Sequence, residues 1–166
     1  MDWRQTFRLL EAMKIRYVAR VDPDVRYSQE EFAELLQIYL ADPGGWEAHG
    51  YRFELVKNKP DVTIRLSSPA TITKTCGLPE NLSCAEVGGR NMYLNAMRWL
   101  HGSSKSGQTL DGYRQYVVSH EMGHILGHEH ANCPGADNPA PIMMQQTKGI
   151  GSCTPNTDIT KTDLKV

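Results

Sequence analysis

The stretch that most constrains this chain is HEMGHILGHEH, which runs from residue 120 to residue 130. On an α-helix, residues four apart lie on the same face, so His120 and His124 would project side by side. Gly127 can adopt a positive φ, end the helix and turn the chain sharply. His130, three residues later, can then return toward the same point. The pattern predicts a helix whose two histidines share one metal ion with a third histidine.

The donor types in this stretch indicate zinc. An open catalytic zinc site has three protein ligands and a free coordination position, and imidazole is a preferred donor. We therefore predict that His120, His124 and His130 bind Zn²⁺. Glu121 follows His120 directly, so its carboxylate can lean toward a metal-bound water without binding the metal. This position predicts that Glu121 is the catalytic general base.

The other three histidines are weaker candidates. A purely structural zinc site usually closes with four protein ligands, and His128 lies four residues after His124. The helix break at Gly127 is expected to rotate His128 away, to the surface or behind the ligands. His49 and His101 are isolated in the sequence and are expected to be ordinary surface residues.

Length and charge limit the other possibilities. A chain of 166 residues fits one domain that can bury a core. A net charge of −1 gives no reason to expect nucleic acid or an anionic membrane as a partner. No apolar run is long enough to span a membrane. We expect a monomer.

Four cysteines are present, at positions 76, 84, 133 and 153. Their spacing is not that of a zinc ribbon or of a redox Cys-x-x-Cys motif. Their loop-like surroundings and even number favour two local disulfides, Cys76–Cys84 and Cys133–Cys153. Free buried thiols are the alternative.

Apolar periodicity predicts the regular elements. Alternation of apolar and polar residues predicts strands at 15–21, 51–56 and 62–67, with a turn at 57–60 between the last two. Helical spacing predicts helices at about 28–41, opened by a Ser28 cap, and at about 110–126.

Breaker residues predict the connections. Residues 68–82 are predicted to be a loop, Gly88 and Gly89 to turn a hairpin, and residues 102–107 to be a flexible linker. The chain after Gly127 is predicted to be irregular. Residues 1–13 are treated as an N-terminal extension, either a short amphipathic helix or a frayed leader, before a domain at 14–166.

The complete pattern H-E-x-x-H-x-x-G-x-x-H resembles the zinc-binding signature of the metzincin clan of metallopeptidases. That clan also has a methionine-containing tight turn beneath the metal, downstream of the third histidine. Met143, within PIMMQ, matches the turn methionine by position, and Met144 is the second choice. The two methionines could instead only fill space in the core.

Further stretches are similar to a bacterial, mostly secreted family of metzincin-like peptidases that is known as a domain of unknown function. They are ADPGGW at 41–46, YVV at 116–118, CPG at 133–135, PAPIMMQQT at 139–147 and CTPN at 153–156. The likeness covers roughly residues 14–156. It implies an α/β metzincin-like single domain, in which a twisted, mostly parallel sheet with an antiparallel edge packs on two helices. An irregular C-terminal subdomain at 131–166 would carry the methionine turn.

The resemblance implies a zinc-dependent endopeptidase that cleaves a peptide or protein substrate with a zinc-activated water. A non-catalytic zinc-stabilised binding or structural module, or a zinc hydrolase of a non-protein substrate, remains possible. Glu121 favours an enzyme, because a structural site needs no carboxylate beside the metal. Some metzincins place a tyrosine two residues after the turn methionine, and here that position is Gln145.

The resemblance also bears on substrate alignment and localisation. An exposed edge strand at the Gly88–Gly89 hairpin is the candidate for aligning an extended peptide. Members of the family usually begin with a signal or membrane anchor, whereas the start MDWRQTFRLLEAM lacks the apolar core and cleavage site of a signal peptide. Two disulfides would nevertheless favour secretion or another oxidising compartment.

Overall fold

A five-stranded sheet forms the centre of the computed structural model, which describes residues 12–166. The strands are β1 (Met13–Val21), β2 (Tyr51–Leu55), β3 (Val62–Ser67), β4 (Cys84–Ala85) and β5 (Asn91–Asn95). The α-helices in this part of the chain are α1 (Gln29–Leu40), α2 (Pro69–Cys76), α3 (Ala96–His101) and α4 (Leu110–Ile125). The helix considered for residues 1–13 falls on residues outside this range, apart from Ala12 and Met13, and Met13 begins β1.

The sheet has the order β2-β1-β3-β5-β4. Its first four strands are parallel, and β4 pairs antiparallel with β5 at the edge. The predicted α/β fold with a mixed sheet is therefore confirmed, as is the hairpin at Gly88–Gly89. The turn at 57–60 does not join neighbouring strands, because β1 lies between β2 and β3 and pairs with both.

The two predicted long helices are confirmed, and they cover the same face of the sheet. The Ser28 hydroxyl accepts a hydrogen bond from the Glu31 amide and caps α1. At the crossing of the helices, the Tyr39 hydroxyl donates to Asp111 Oδ1 at 2.7 Å. The Gln115 amide donates to the Tyr39 carbonyl at 3.0 Å, which fixes α4 against the end of α1.

The core lies between this helix pair and the sheet. Buried side chains from the inner face of the strands meet the apolar sides of both helices. The strands contribute Tyr17, Ile64, Leu66, Met92 and Leu94, and the helices contribute Phe32, Leu36, Tyr116, Val118 and Met122. From Gln115 to Ile125 every residue of α4 is buried. A helix enclosed in this way belongs to the centre of a domain.

The loop predicted at 68–82 is wrong in its first half, because α2 occupies Pro69–Cys76. The Ser68 hydroxyl caps this helix by accepting from the Thr71 amide, Pro69 stands in its first turn, and Gly77 ends it with φ +66°. These are strong helix start and stop signals. The β-branched residues between them favour strand and hide the helix from apolar periodicity.

The flexible linker predicted at 102–107 is also wrong. Ser103 and Ser106 are buried, and the chain between them forms a short 3₁₀ turn. The Ser103 hydroxyl donates to the Thr147 carbonyl at 2.8 Å, and the Ser106 hydroxyl donates to the Ser103 carbonyl at 2.6 Å. The bond from Ser103 to a distant segment holds this stretch, and the composition of the stretch does not predict it.

The irregular C-terminal region agrees with the prediction and packs beneath α4.

Both predicted cysteine pairs are confirmed as disulfides, Cys76–Cys84 and Cys133–Cys153. Among the described residues, no helix is both long and apolar enough to cross a membrane.

Removal of the Cys133–Cys153 disulfide should lower the free energy of unfolding. The two cysteines are 20 residues apart, and closing a loop of that size contributes about 3 kcal/mol by the chain-entropy model. Urea unfolding of the Cys133→Ser/Cys153→Ser variant measures the loss. The Cys76→Ser/Cys84→Ser variant opens a shorter loop and should lose somewhat less. Four alkylatable thiols in the native, unreduced protein would contradict this prediction.

Candidate metal centre

The end of α4 is built by a local backbone motif. Leu126 caps the helix, and Gly127 follows with φ +103°. The Gly127 amide donates to the His124 carbonyl, and the His128 amide donates to the Gly123 carbonyl, both at 2.9 Å. This pair of bonds is a Schellman motif, in which the residue with positive φ is usually glycine. The predicted break at Gly127 is therefore present, and it turns the chain back toward the helix.

Three imidazoles meet where the chain returns. His120 Nδ1 lies 2.6 Å from the Ile142 carbonyl oxygen, and His124 Nδ1 lies 2.8 Å from the His128 carbonyl oxygen. A carbonyl accepts only, so each Nδ1 carries the proton and each Nε2 carries a lone pair. His124 Nε2 lies 3.1 Å from His130 Nε2, and one ring nitrogen from each of the three residues lies within 4.8 Å of the others.

The surroundings favour neutral imidazoles. Burial lowers the pKa of His120 to about 3, and the neighbouring His124 and His130 add to the effect. Burial also lowers the pKa of His124 and of His130, and for His130 the nearby His124 is the second cause. A neutral imidazole is the form that binds a metal. Three neutral rings can therefore lie close together near neutral pH without repulsion between positive charges.

The donor set fits a zinc ion. Tetrahedral zinc with Zn–N distances of about 2.0 Å places its nitrogen ligands about 3.3 Å apart, close to the separation of the His124 and His130 nitrogens. Both helix histidines are oriented by carbonyl groups through Nδ1, as metal-bound histidines commonly are. In the described part of the chain, these three residues are the one group of histidine, cysteine or acidic side chains close enough to hold a metal ion.

Glu121 lies beside this cluster and lines the same cleft. It is buried, and its Oε2 atom makes no hydrogen bond with any described residue. Burial raises the pKa of the Glu121 carboxyl to about 8. A buried carboxyl without a partner is costly for stability, and groups of this kind are frequent at functional sites.

A tight turn supports the cluster from below. The Met144 amide donates to the Pro141 carbonyl at 3.1 Å, so Ile142 and Met143 are the central residues of the turn. Met143 is fully buried, and its sulfur packs against the α4 backbone at Gly123. Its position fits the predicted role of the turn methionine, namely packing under the site without binding a metal.

Replacement of Gly123 by alanine should destabilise the protein. The added methyl group would collide with Met143 Sδ and would lie 3.0 Å from Trp46 Cζ2. Overpacking of this kind costs about 1–3 kcal/mol, which outweighs the gain of up to about 1 kcal/mol in helix propensity. Thermal unfolding and zinc retention measure the effect.

Gly112→Ala is the matched control for that variant, because it makes the same change in the same helix. A methyl group there meets Gln108 Oε1 at 2.7 Å and the Thr109 hydroxyl at 3.2 Å, whereas a methyl group at Gly123 meets the buried side chains of Met143 and Trp46. This variant should keep its zinc and should lose less stability than Gly123→Ala. A Gly123→Ala protein that is as stable as Gly112→Ala would argue against close packing of Met143 on the helix.

Two aromatic side chains near the site were not predicted from the motif. Trp46 stacks on His128 with ring centroids 4.6 Å apart, and its indole N–H donates to the Ser119 carbonyl at 2.8 Å. The Tyr116 hydroxyl donates to the Met144 carbonyl at 3.1 Å and accepts from the Gln146 amide at 2.9 Å. His128 thus packs on Trp46 and does not belong to the group of three close histidines, and Tyr116 ties α4 to the methionine turn.

The site opens into a cleft of about 130 Å³. Its walls come from β4 and the preceding loop, from α4 and from the segment after the methionine turn: Leu78, Leu82, Ser83, Cys84, Ala85, Tyr116, Val117, His120, Glu121, His124, His130, Gln145 and Thr147. A second groove, of about 330 Å³, shares Leu78, Cys84 and Ala85 with it. The short strand β4 thus lies between two neighbouring depressions, one of which holds the histidines.

Comparisons with known proteins show the family and the fold. The family described as "Protein of unknown function (DUF3152)" matches residues 9–164. The crystal structure of archaemetzincin from Methanopyrus kandleri is similar to this chain with a TM-score of 0.54 and 12% sequence identity, over 91% of each chain. At that identity the likeness concerns the fold alone, which is that of archaemetzincin. No curated protein matches the sequence.

Proposed function

This chain belongs to the family described as a protein of unknown function (DUF3152), and we propose that it is a zinc-dependent endopeptidase. One observation carries the proposal. Three neutral histidines present their Nε2 atoms to one point of a cleft, and an unpaired carboxyl group lines that cleft beside them. A structural zinc site would need the histidines and would gain nothing from Glu121.

His120, His124 and His130 would hold the metal. A zinc ion bound there would polarise the scissile carbonyl and lower the pKa of a water molecule. Glu121 accepts the proton of the attacking water and later delivers it to the leaving nitrogen. The raised pKa of Glu121 shows that its environment favours the protonated form, and a nearby cation would shift it back toward the ionised form. The same carboxyl can therefore take up a proton and release it.

We propose Gln145 as the donor for the developing oxyanion. The other polar groups of the cleft wall near it are engaged: Tyr116 bonds to Met144 and Gln146, and Thr147 bonds to the Tyr113 hydroxyl. The Gln145 side chain lines the cleft and makes no hydrogen bond with another described residue. Its amide N–H groups can stabilise charge on the carbonyl oxygen as the tetrahedral state forms.

The substrate would be an extended peptide or protein segment. Strand β4 lies at the edge of the sheet and borders the cleft, so its outer side can pair with an added strand. The Gly88 amide donates to the His124 carbonyl at 2.8 Å, which holds the β4–β5 hairpin close to the histidines. A peptide bound along β4 would pass over the metal centre.

We also propose that the protein acts as a monomer in a secreted or otherwise oxidising setting. The two disulfides support that setting, because such bonds persist where thiols are not kept reduced.

Incubation of the zinc-loaded protein with a diverse peptide library tests the function. Mass spectrometry should detect internal cleavage products, and a chelator should suppress them. Glu121→Gln protein, loaded with zinc in the same way, controls for a contaminating protease. A zinc-replete wild type that cleaves no peptide in a broad library would favour a non-catalytic zinc module or a hydrolase of another substrate class.

A further inference from the structure

Asp163 is a fully buried carboxylate in the last turn of the chain, the 3₁₀ helix Asp163–Lys165. Its two oxygens accept four hydrogen bonds. Oδ2 accepts from the Ile142 amide at 3.0 Å and from both the amide and the hydroxyl of Thr160 at 2.8 Å. Oδ1 accepts from the Met143 amide at 2.6 Å. Half of these bonds therefore reach the central residues of the methionine turn, about 20 residues away in the sequence.

The same turn orients one of the three histidines. The Ile142 carbonyl oxygen lies 2.6 Å from His120 Nδ1. This carbonyl and the Met143 N–H belong to one peptide group. Asp163 thus bonds to the N–H side of a peptide whose carbonyl side bonds to His120. A hydrogen bond at one end of a peptide group polarises the group and strengthens the bond at the other end.

We propose that Asp163 is a positioning residue for His120 and acts through the peptide group between Ile142 and Met143. It fixes the direction of the Ile142 carbonyl, and its charge makes that carbonyl a stronger acceptor. A stronger acceptor at Nδ1 makes Nε2 a better metal ligand and holds the ring in one orientation. The inference rests on the proposed metal site, and it assigns a role in that site to a residue outside the motif.

The competing explanation is that Asp163 only attaches the C-terminal segment to the body of the protein. Thr160 and Asp163 would then form a structural anchor, and its loss would lower stability without changing the affinity of the folded protein for zinc. The two explanations differ in the affinity for the metal and in the ligand field that the metal experiences.

Asp163→Asn is the direct test, because it keeps the shape and replaces one acceptor oxygen by an N–H donor facing the turn. Competition with a chromophoric chelator should show zinc affinity about 10- to 100-fold lower than in the wild type. The visible absorption bands of the Co²⁺-substituted protein should also shift. Asp158→Asn is the matched control, since Asp158 is exposed in the same segment, and it should match the wild type in both measurements.

Hydrogen exchange on the wild type keeps the inference testable if Asp163→Asn fails to fold. Coupling between two sites is reciprocal, so zinc should protect the segment 158–166 as well as the methionine turn. Peptides from α1 serve as the control and should not change. Equal protection of 158–166 with and without zinc, or equal zinc affinity of folded Asp163→Asn and wild type, would overturn the inference alone. A wild type that binds no zinc would overturn the metal site as well.

Discussion

Glu121→Gln protein should bind zinc as the wild type does and lose most of its peptidase activity. The substitution preserves the size of the side chain and removes only its ability to take up a proton. General-base catalysis is typically worth about 100- to 10,000-fold, and we expect kcat/KM to fall within that range. The carboxyl is not needed as a ligand, because the three histidines complete the protein's share of an open zinc site. Elemental analysis of the purified variant measures the metal, and cleavage of a library-derived peptide measures the rate.

Glu129→Gln is the matched control for this variant. It removes a carboxylate from the same stretch of chain, at an exposed position between His128 and His130. Its activity and zinc content should both equal those of the wild type. The neutral side chain in Glu121→Gln should also relieve the cost of burying an unpaired carboxyl, so the variant should be at least as stable as the wild type. Equal activity in Glu121→Gln and wild type, at equal metal content, would refute Glu121 as the base.

The site could be predicted from the sequence because its geometry is mostly local. The spacing of His120 and His124 follows from the helix repeat, and the return of His130 follows from the positive φ that glycine permits at position 127. The structure gives these residues the expected arrangement, with a Schellman motif at the turn. A pattern of eleven residues is enough to bring the three rings together, although the Ile142 carbonyl that orients His120 lies outside it.

Features that depend on contacts between residues far apart in the sequence could not be predicted from sequence patterns. Alternation predicted β2 and β3 but could not show that β1 inserts between them, because strand order depends on pairings across the chain. Ser103 lies in a stretch whose composition is typical of a linker. Its burial is explained by its bond to the Thr147 carbonyl. Asp163 stands in a polar tail, and nothing nearby in the sequence indicates that its carboxylate reaches the methionine turn.

The missed helix α2 has a different cause, since its signals are local. Ser68 and Pro69 mark its start and Gly77 marks its end. Helical apolar spacing does not reveal this helix, because the segment buries Ile72 alone. Cap signals therefore carry information that periodicity lacks in short helices, which need only one apolar contact with the sheet.

His124→Ala should fail in a different way from Glu121→Gln, because it removes a ligand and leaves the base in place. We expect the zinc content to fall to a small fraction of one ion per chain and the activity to fall at least as far as in Glu121→Gln. The variant also loses the bond from Nδ1 to the His128 carbonyl, which is 2.8 Å long in the structure. Leaving that partly buried carbonyl without its partner costs about 1–3 kcal/mol. Urea unfolding of variant and wild type, both in chelator, isolates this loss from the effect of the metal.

His128→Ala is the control that separates the imidazole of His124 from the backbone that orients it. The bond at His124 Nδ1 is made by the His128 carbonyl, which alanine retains, whereas the His128 ring stacks on Trp46. Zinc content and activity should therefore survive in His128→Ala, with at most a modest loss of stability. If His128→Ala loses zinc as completely as His124→Ala does, His128 is a fourth ligand and the site is closed, which would favour the structural module. If His124→Ala keeps its zinc, the metal lies elsewhere and the assignment of all three ligands is wrong.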